Sequence, residues 1–198
     1  MKKNNLNISN LISIGVYSAV YFLFVTIATF SSAILIPAYG MICIPAIAAL
    51  ISSLPYYLLG LKVQKFGAIT LMGFTMGIFY FVSGHFPLSF IPAFLFSILA
   101  DGILYLGKYK SKLLFALSYI LFCFGNAGPI LPLFFSKEAY ISNLVERGKD
   151  NQYIANLFTQ ISSTSFVIMI VSTIIFAIIG SVFAHKMMKK HFKKAGII

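Results

Sequence analysis

Residues 122–136 read Phe-Cys-Phe-Gly-Asn-Ala-Gly-Pro-Ile-Leu-Pro-Leu-Phe-Phe-Ser and interrupt an apolar run that begins at Leu113. Glycine and proline destabilise a helix and leave backbone groups without their helical hydrogen bonds. In a membrane, such a helix break is tolerated only where protein or water can pair with those groups. Asn126 is a carboxamide in otherwise apolar sequence, so it either joins a neighbouring helix or points into a cavity. The stretch is therefore a candidate ligand site, and a kink packed against another helix is the structural alternative.

The composition is that of an integral membrane protein. Of 198 residues, 60% are hydrophobic and 10% are charged, and the mean hydropathy is +0.94, which excludes an ordinary soluble domain. The net charge of +11 does not indicate nucleic-acid binding, because Lys and Arg lie in short clusters between apolar runs. Cys43 and Cys123 lie in apolar segments without CxxC or histidine neighbours, so we expect no metal, redox or cofactor site.

Apolar runs recur along the chain, each close to the about 20 residues that a helix needs to cross a bilayer. The predicted spans are about 11–36, 40–61, 66–84, 88–107, 113–135 and 158–184. The first is too long for a signal-peptide core and should be retained. Because the connections are short except at 136–157, we expect an all-α bundle of six transmembrane helices in one domain, residues 1–198, with a basic tail at 185–198.

The distribution of charge predicts the orientation of this bundle. One side carries Lys2, Lys3, Lys62, Lys65, Lys108, Lys110, Lys112, Lys186, Lys189, Lys190, Lys193 and Lys194. The other side carries Lys137, Arg147 and Lys149, which Glu138, Glu146 and Asp150 balance. The positive-inside rule therefore predicts that both termini are cytoplasmic. The 136–157 segment, the 34–40 connection and the turn at His85 then share the outer face.

The long outer loop is predicted to contain a short amphipathic helix. Ser136 is a possible cap, Glu138 suits the first turn, and apolar residues recur at helical spacing until a break at residues 148–151. Polar side chains continue into the outer end of the sixth span, where interfacial solvation explains some of them. We expect the others to share a cavity with Asn126, and the predicted substrate-binding residues are Asn126, His85, Asn156, Gln160, Tyr80, Tyr39 and Ser163.

Two pairs of small residues are spaced for close helix approach. Gly15 and Ala19 lie four apart in the first span with Ser18 beside them, and they favour contact either with a helix of the same chain or with another protein. Gly73 and Gly77 in the third span form a similar pair, for which we expect internal packing.

Asp101 is the only acid inside an apolar run, which makes it a candidate for function. Lys108 lies seven residues further on, so Asp101 should lie near the membrane boundary, where water or a lysine can satisfy it. We expect a structural or assembly role, with proton coupling as the alternative.

Four sequence elements carry a resemblance to a known family. They are Lys108-Tyr-Lys-Ser-Lys112, Gly128-Pro-Ile-Leu-Pro-Leu133, Glu138-Ala-Tyr140 and the tail Lys189-Lys-His-Phe-Lys-Lys-Ala-Gly-Ile197. They resemble the Trep_Strep family of bacterial membrane proteins over essentially the whole chain, and that family is similar to the S components of energy-coupling factor (ECF) transporters. The resemblance implies a substrate-binding subunit of the bacterial cell membrane that imports a micronutrient together with a transmembrane coupling subunit and two cytoplasmic ATPases.

The same resemblance assigns a docking role to the first helix. S components carry a small-xxx-small motif there, and Gly15 and Ala19 match it, with glycine where alanine is typical. Gly15, Ala19 and the adjacent Ser18 are therefore the predicted contacts with the coupling subunit.

The remaining motifs separate the classes of function. The chain has no phosphate-binding P-loop, no HExxH and no GxSxG, so we expect a non-catalytic subunit whose partners hydrolyse ATP. The alternative is a stand-alone ion-coupled secondary permease, supported by Asp101 and the broken fifth helix. An intramembrane enzyme using His85 lacks a second titratable group. Neutral polar and aromatic side chains favour a mostly uncharged, ring-containing, vitamin-like substrate.

Overall fold

A computed structural model describes residues 5–37 and 39–192, and this part of the chain is helical without strands. The helices are α1 (Ile8–Leu35), α2 (Gly40–Ile51), α3 (Ser53–Val63), α4 (Ala68–Val82), α5 (Phe90–Leu106), α6 (Lys112–Cys123), α7 (Leu131–Phe135), α8 (Lys137–Glu146), α9 (Asn151–Thr159) and α10 (Ser163–Met187). Short 3₁₀ segments occupy Pro87–Ser89 and Phe124–Ala127, and a π-helical turn at Met188–Phe192 continues α10. The all-α prediction is confirmed. The predicted cytoplasmic Lys2, Lys3, Lys193 and Lys194, the end of the tail motif, and Ala38 in the 34–40 connection lie outside the described residues.

Three helices in the described ranges are long and apolar enough to cross a membrane. They are Ile8–Leu35, Pro87–Leu106 and Ser163–His191, and α2 with α3 makes a fourth if this bent pair is one span. The apolar helices Ala68–Val82 and Lys112–Ala127 are shorter. Every predicted apolar run thus contains helix, but the glycine and proline break ends the fifth helix early. Six complete spans stay a prediction.

The second predicted span is bent instead of straight. Its two halves, α2 and α3, meet at an angle of 47°. Pro55 lies in the first turn of α3. Because its ring nitrogen has no hydrogen to donate, it cannot bond the carbonyl of Ile51, the last residue of α2. The missing hydrogen bond explains the bend between the two helices.

Helix α1 buries one face at regular helical spacing. Its buried residues are Ile14, Ser18, Tyr21, Val25, Ala28 and Ser32, three or four apart, so they form one stripe. This stripe packs on α2, α3 and α4, while α10 packs on α2, α3 and α6, and α5 lies between α4 and α6. Tyr21, Tyr56 and Tyr119 are fully buried at the centre of the bundle.

The described lysines of the predicted cytoplasmic side gather at one end of the bundle, which we call the basic end. Here α3, α5 and α10 end and α6 begins. The opposite end, which we call the outer end, carries the 3₁₀ break after α6 and the helices α7, α8 and α9. Which end faces the cytoplasm stays a prediction.

The outer end is more elaborate than the sequence pattern indicated. Helix α8 is confirmed with Glu138 in its first turn, and Ser136 occupies its N-cap position as predicted, but the Ser136 side chain makes no capping hydrogen bond. Helix α9 was not predicted: the Asp150 side chain accepts from the Tyr153 amide at 2.7 Å and starts it. Because α9 occupies residues placed in the last span, α10 begins at Ser163 and not near 158.

Candidate functional site

The break after α6 packs its backbone directly against the start of α5. A Cβ atom on Gly128 would lie 2.1 Å from the carbonyl oxygen of Ser89, and one on Gly125 would lie 3.2 Å from the Cα atom of Ala93. Only glycine fits at position 128, because an oxygen atom occupies the space of a side chain. The break is thus held in one position, and this fixes the direction of the Asn126 side chain.

Asn126 lies at the centre of a buried hydrogen-bond network. Its Nδ2 donates to the Tyr21 hydroxyl of α1 at 2.8 Å, and its Oδ1 accepts from the Tyr80 hydroxyl of α4 at 3.2 Å. The residue is 5% exposed, and Tyr21 and Tyr80 are also buried. Asn126 therefore joins neighbouring helices, which is one of the two alternatives that the sequence left open, and it also borders a small cavity.

Tyr21 is the network residue that was not predicted. A signal for it was present, because Ile14, Ser18, Tyr21, Val25, Ala28 and Ser32 recur every three or four residues and bring the polar members of α1 onto one face. A polar side chain on the inward stripe of a membrane helix indicates a partner inside the bundle.

The space beside this network is small. A cavity of about 10 Å³ is lined by Gly73, Met76, Ala93, Phe122, Gly125 and Asn126. It is large enough for about one water molecule. A substrate at Asn126 therefore requires the surrounding side chains or the outer helices to move.

His85 extends the network towards the outer surface. Its ring packs edge-on against Tyr80 with centroids 5.4 Å apart, and its Nδ1 lies 2.7 Å from the Ser83 hydroxyl. Burial of the ring, and then the positive charge of Arg147, lower the pKa of His85 below its ordinary value. The histidine is thus kept neutral between Asn126 and the solvent at neutral pH.

Helices α8 and α9 cover the outer end of the bundle. The Tyr140 ring on α8 packs on Phe86, beside His85, with centroids 5.5 Å apart. A second apolar cluster fills the space beneath these helices and contains Ile42, Ala127, Ile130, Leu133, Leu144, Ile154, Leu157 and Met169. The outer helices thus form a packed layer over the break.

The predicted substrate-binding residues fall into two groups. Asn126, Tyr80 and His85 form one chain of contacts. Asn156 and Ser163 are exposed, and Tyr39 is 47% exposed. Gln160 is half-buried, and its Oε1 has no hydrogen-bond partner among the described residues. A substrate role for all seven residues stays a prediction.

The predicted docking residues also divide. Gly15 and Ala19 are exposed, and a Cβ atom on Gly15 would meet no atom of the described residues within 4 Å. Ser18 is 3% exposed and belongs to the inward stripe of α1, so it does not share their surface. Gly73 and Gly77 face Ser97 and Phe94 of α5, which confirms internal packing for that pair.

Asp101 is fully buried and caps a neighbouring helix. Its Oδ2 accepts from the amide of Gly67 at 2.8 Å and from the amide and hydroxyl of Thr70 at 3.0 and 2.9 Å. These groups form the first turn of α4, whose own N-cap residue Gly67 has no side chain to cap it. The Asp101 carboxylate on α5 thus caps the N-terminus of α4.

A metal site is not formed by the described residues: no group of three or more His, Cys, Asp or Glu side chains in residues 5–37 and 39–192 is arranged to hold an ion. The network around Asn126 consists of neutral hydrogen-bond donors, neutral acceptors and aromatic rings.

The helical bundle, its long apolar helices and its buried polar break define an integral membrane protein. The chain belongs to the Trep_Strep family: the sequence model of that family, described as a hypothetical bacterial integral membrane protein, matches residues 8–194. Comparison with curated proteins found no match, and comparison with solved structures found none.

Proposed function

We propose that the chain is the substrate-binding S component of an ECF-type importer in the bacterial plasma membrane. In this proposal six spans cross the membrane, both termini are cytoplasmic, and the chain is not an enzyme. It captures a small molecule at the outer end. A transmembrane coupling subunit and two cytoplasmic ATPases supply the energy for import.

The observation that carries the proposal is the open surface at Gly15 and Ala19. A glycine and an alanine one turn apart on an apolar helix usually allow a second helix to approach closely. Within residues 5–37 and 39–192 that approach is not used, because a Cβ atom on Gly15 would meet no atom of these residues within 4 Å. The surface therefore fits a helix of another subunit, and a subunit that depends on partners for energy needs such a contact.

The substrate site in this proposal is the buried network of Asn126, Tyr21 and Tyr80. It offers neutral hydrogen-bonding groups beside aromatic rings, such as Tyr21 and Phe122, whose centroids are 5.3 Å apart. These groups suit a mostly uncharged molecule that contains a ring. The packed layer of α8 and α9 must open for such a molecule to enter.

The ion-coupled permease gains no support from Asp101. A proton-coupling carboxylate needs access to exchange its proton. Asp101 instead accepts three hydrogen bonds on one oxygen at the start of α4 and is fully buried, which suits a structural role.

The proposal is tested by isolating the tagged chain from membranes of its own bacterium and identifying what accompanies it. We expect two ATPases with phosphate-binding P-loops and one further membrane protein by protein mass spectrometry. We also expect a retained small molecule by mass spectrometry of the denatured sample. A chain that transports solute alone in liposomes, with no ATPase associated, would instead be a permease.

A further inference from the structure

A second cavity opens at the basic end, far along the bundle from Asn126. Its volume is about 480 Å³, within the range of ligand sites in proteins. Residues of α3, the turn after α5, the start of α6 and the end of α10 line it. This cavity has no part in the substrate site described above.

The rim of this cavity is positively charged, and one acid, Asp101, lies close enough to Tyr109 that its charge, after the larger effect of burial, raises the pKa of the Tyr109 hydroxyl. Lys110, Lys112 and Lys189 contribute three ammonium groups, and none of the lining residues is Asp or Glu. Of the acids in the chain, Glu138, Glu146 and Asp150 belong to the outer end, and Asp101 is buried at the start of α4. The N-terminus of α6 adds further positive potential at Lys112. The rim thus attracts an anion.

The floor of the cavity is aromatic and apolar. The rings of Tyr57 and Phe115 lie with centroids 5.0 Å apart, and Met188 lines the same space. Cations at the mouth and apolar side chains below fit a molecule with a charged head and an apolar body.

Tyr109 lines this cavity, and its hydroxyl group is buried without a partner among the described residues. The residue is 7% exposed. Lys108 and Tyr109 both adopt left-handed backbone conformations, with φ of 49° and 56°. Hydrogen bonds from the amides of Tyr109 and Lys110 to Leu104 and Gly107 hold this turn. Such strained turns persist where surrounding structure fixes them, often at ligand sites.

The cavity lies where a membrane surface meets the bundle. Leu113, which directly follows Lys112, is 68% exposed, and Phe183, two residues before His185, is 49% exposed. Large exposed apolar side chains mark the lipid-facing surface of a membrane protein, and lysines next to them reach the headgroup layer.

We propose that this cavity binds the phosphate headgroup of an anionic phospholipid. The phosphate contacts Lys110, Lys112 and Lys189, and the start of an acyl chain packs on Tyr57, Phe115 and Met188. A rotation of the Tyr109 side chain brings its buried hydroxyl to a phosphate or glycerol oxygen. A basic pocket between membrane helices is suited to such headgroups.

The test compares lipid binding to the purified full-length protein by native mass spectrometry. Phosphatidylglycerol and phosphatidylcholine with identical acyl chains are titrated against wild type and against the triple variant Lys110→Gln, Lys112→Gln, Lys189→Gln. The matched control removes the same charge from the outer end, through Lys137→Gln, Arg147→Gln and Lys149→Gln. We expect phosphatidylglycerol to bind more tightly than phosphatidylcholine and to lose on the order of 100-fold in affinity only in the cavity variant.

A second variant, Tyr109→Phe, separates binding from folding. Because the hydroxyl lacks a partner in the part of the chain that the structure describes, its removal should leave thermal stability without lipid unchanged or raised, and should weaken phosphatidylglycerol binding about fivefold or more.

Four results would overturn the proposal. Equal affinity for the two lipids, or an equal loss in the outer-end control, would leave no specific phosphate site. Displacement of phosphatidylglycerol by glycerol 3-phosphate at similar concentration would assign the cavity to a soluble phosphate compound. Unchanged lipid binding in the cavity variant, together with loss of copurified coupling subunits, would make this surface a protein contact.

Discussion

Asn126 joins three parts of the bundle through a single carboxamide. It bonds Tyr21 on α1 at 2.8 Å and Tyr80 on α4 at 3.2 Å, while its own backbone belongs to the break after α6. An amide that donates on one side and accepts on the other specifies the relative position of both tyrosines.

Asn126→Ala should therefore lower stability as well as any substrate affinity. It leaves two buried tyrosine hydroxyls without their partner, which costs about 1–3 kcal/mol in the free energy of unfolding. Thermal unfolding in detergent measures the loss, and Asn156→Ala, at an exposed position, is the control that should change stability by less than about 0.5 kcal/mol. Equal stability of both variants would mean that the network does not hold the helices together.

His85 should make the protein sensitive to mild acid. Its folded pKa is lowered, by burial and by Arg147, so between that pKa and the ordinary value near 6.5 the unfolded chain binds more protons than the folded one. Stability therefore falls as pH drops below about 6.5. Comparing unfolding at pH 7.5 and 5.5 tests this, and His85→Gln should show a smaller loss over the same interval. An identical pH dependence in both proteins would contradict the assignment.

Asp101 should prove structural because it caps α4. Asp101→Ala removes an acceptor from three donors and should cost about 1–3 kcal/mol of stability. Asp101→Asn keeps an oxygen that can accept and should lose less. In either case uptake by the intact complex should persist when the proton gradient is dissipated while ATP is maintained, and uptake that stops under those conditions would restore the permease alternative.

The break after α6 depends on the close contact between Gly128 and α5. A Cβ atom at Gly128 meets the Ser89 carbonyl oxygen at 2.1 Å, whereas one at Gly102 meets no atom within 4 Å in the described part of the chain. We expect Gly128→Ala to lower the free energy of unfolding by about 1–3 kcal/mol through overpacking. Gly102→Ala should be neutral or slightly stabilising, since alanine favours helix. Thermal unfolding of the two alanine variants measures this difference. Equal stability of the two variants would mean that the break is loosely packed at Gly128.

The helices that could be predicted are those with a clear local signal. Apolar runs of membrane length and the helical spacing in α8 indicated the correct elements, and Gly125 and Pro129 indicated the break. The bend at Pro55 and the helix α9 were missed, because Pro55 lies inside an apolar run and Asp150 belongs to a segment that also resembles a helix end. Asp and Asn occur both at the N-cap of a helix and in turns that end one. Only the residues that follow Asp150 therefore show that it starts a helix.

The candidate site was predicted only in part, because it depends on helix rotation. Asn126 and Tyr80 were named and do meet, but Tyr21 was absent and Ser18 was placed with Gly15 and Ala19. Neighbouring residues on a helix differ by about 100° in direction, so Ser18 points into the bundle while Ala19 points outward. The buried pattern of α1 carries that information, whereas partners across the bundle are not encoded in any local pattern.

The whole bundle separates two chemical environments. The outer end combines neutral polar groups with a packed helical layer, and the basic end combines lysines with an open cavity. An S component needs such a division, with solute captured on one side and energy received through partner subunits. In the proposed importer, the lateral surface at Gly15 and Ala19 is the contact with the coupling subunit.

The most direct measurement of the central claim is the amount of ATPase and coupling subunit that copurifies with tagged Gly15→Leu, compared with Gly102→Leu and wild type. Both variants place the same side chain at a glycine with open space around it, but on α1 and α5 respectively. We expect Gly15→Leu to lose its partners, because a bulky side chain prevents close helix approach, whereas Gly102→Leu should keep them and both variants should remain folded. Equal recovery of the ATPases with all three proteins, or no ATPase with wild type, would contradict it.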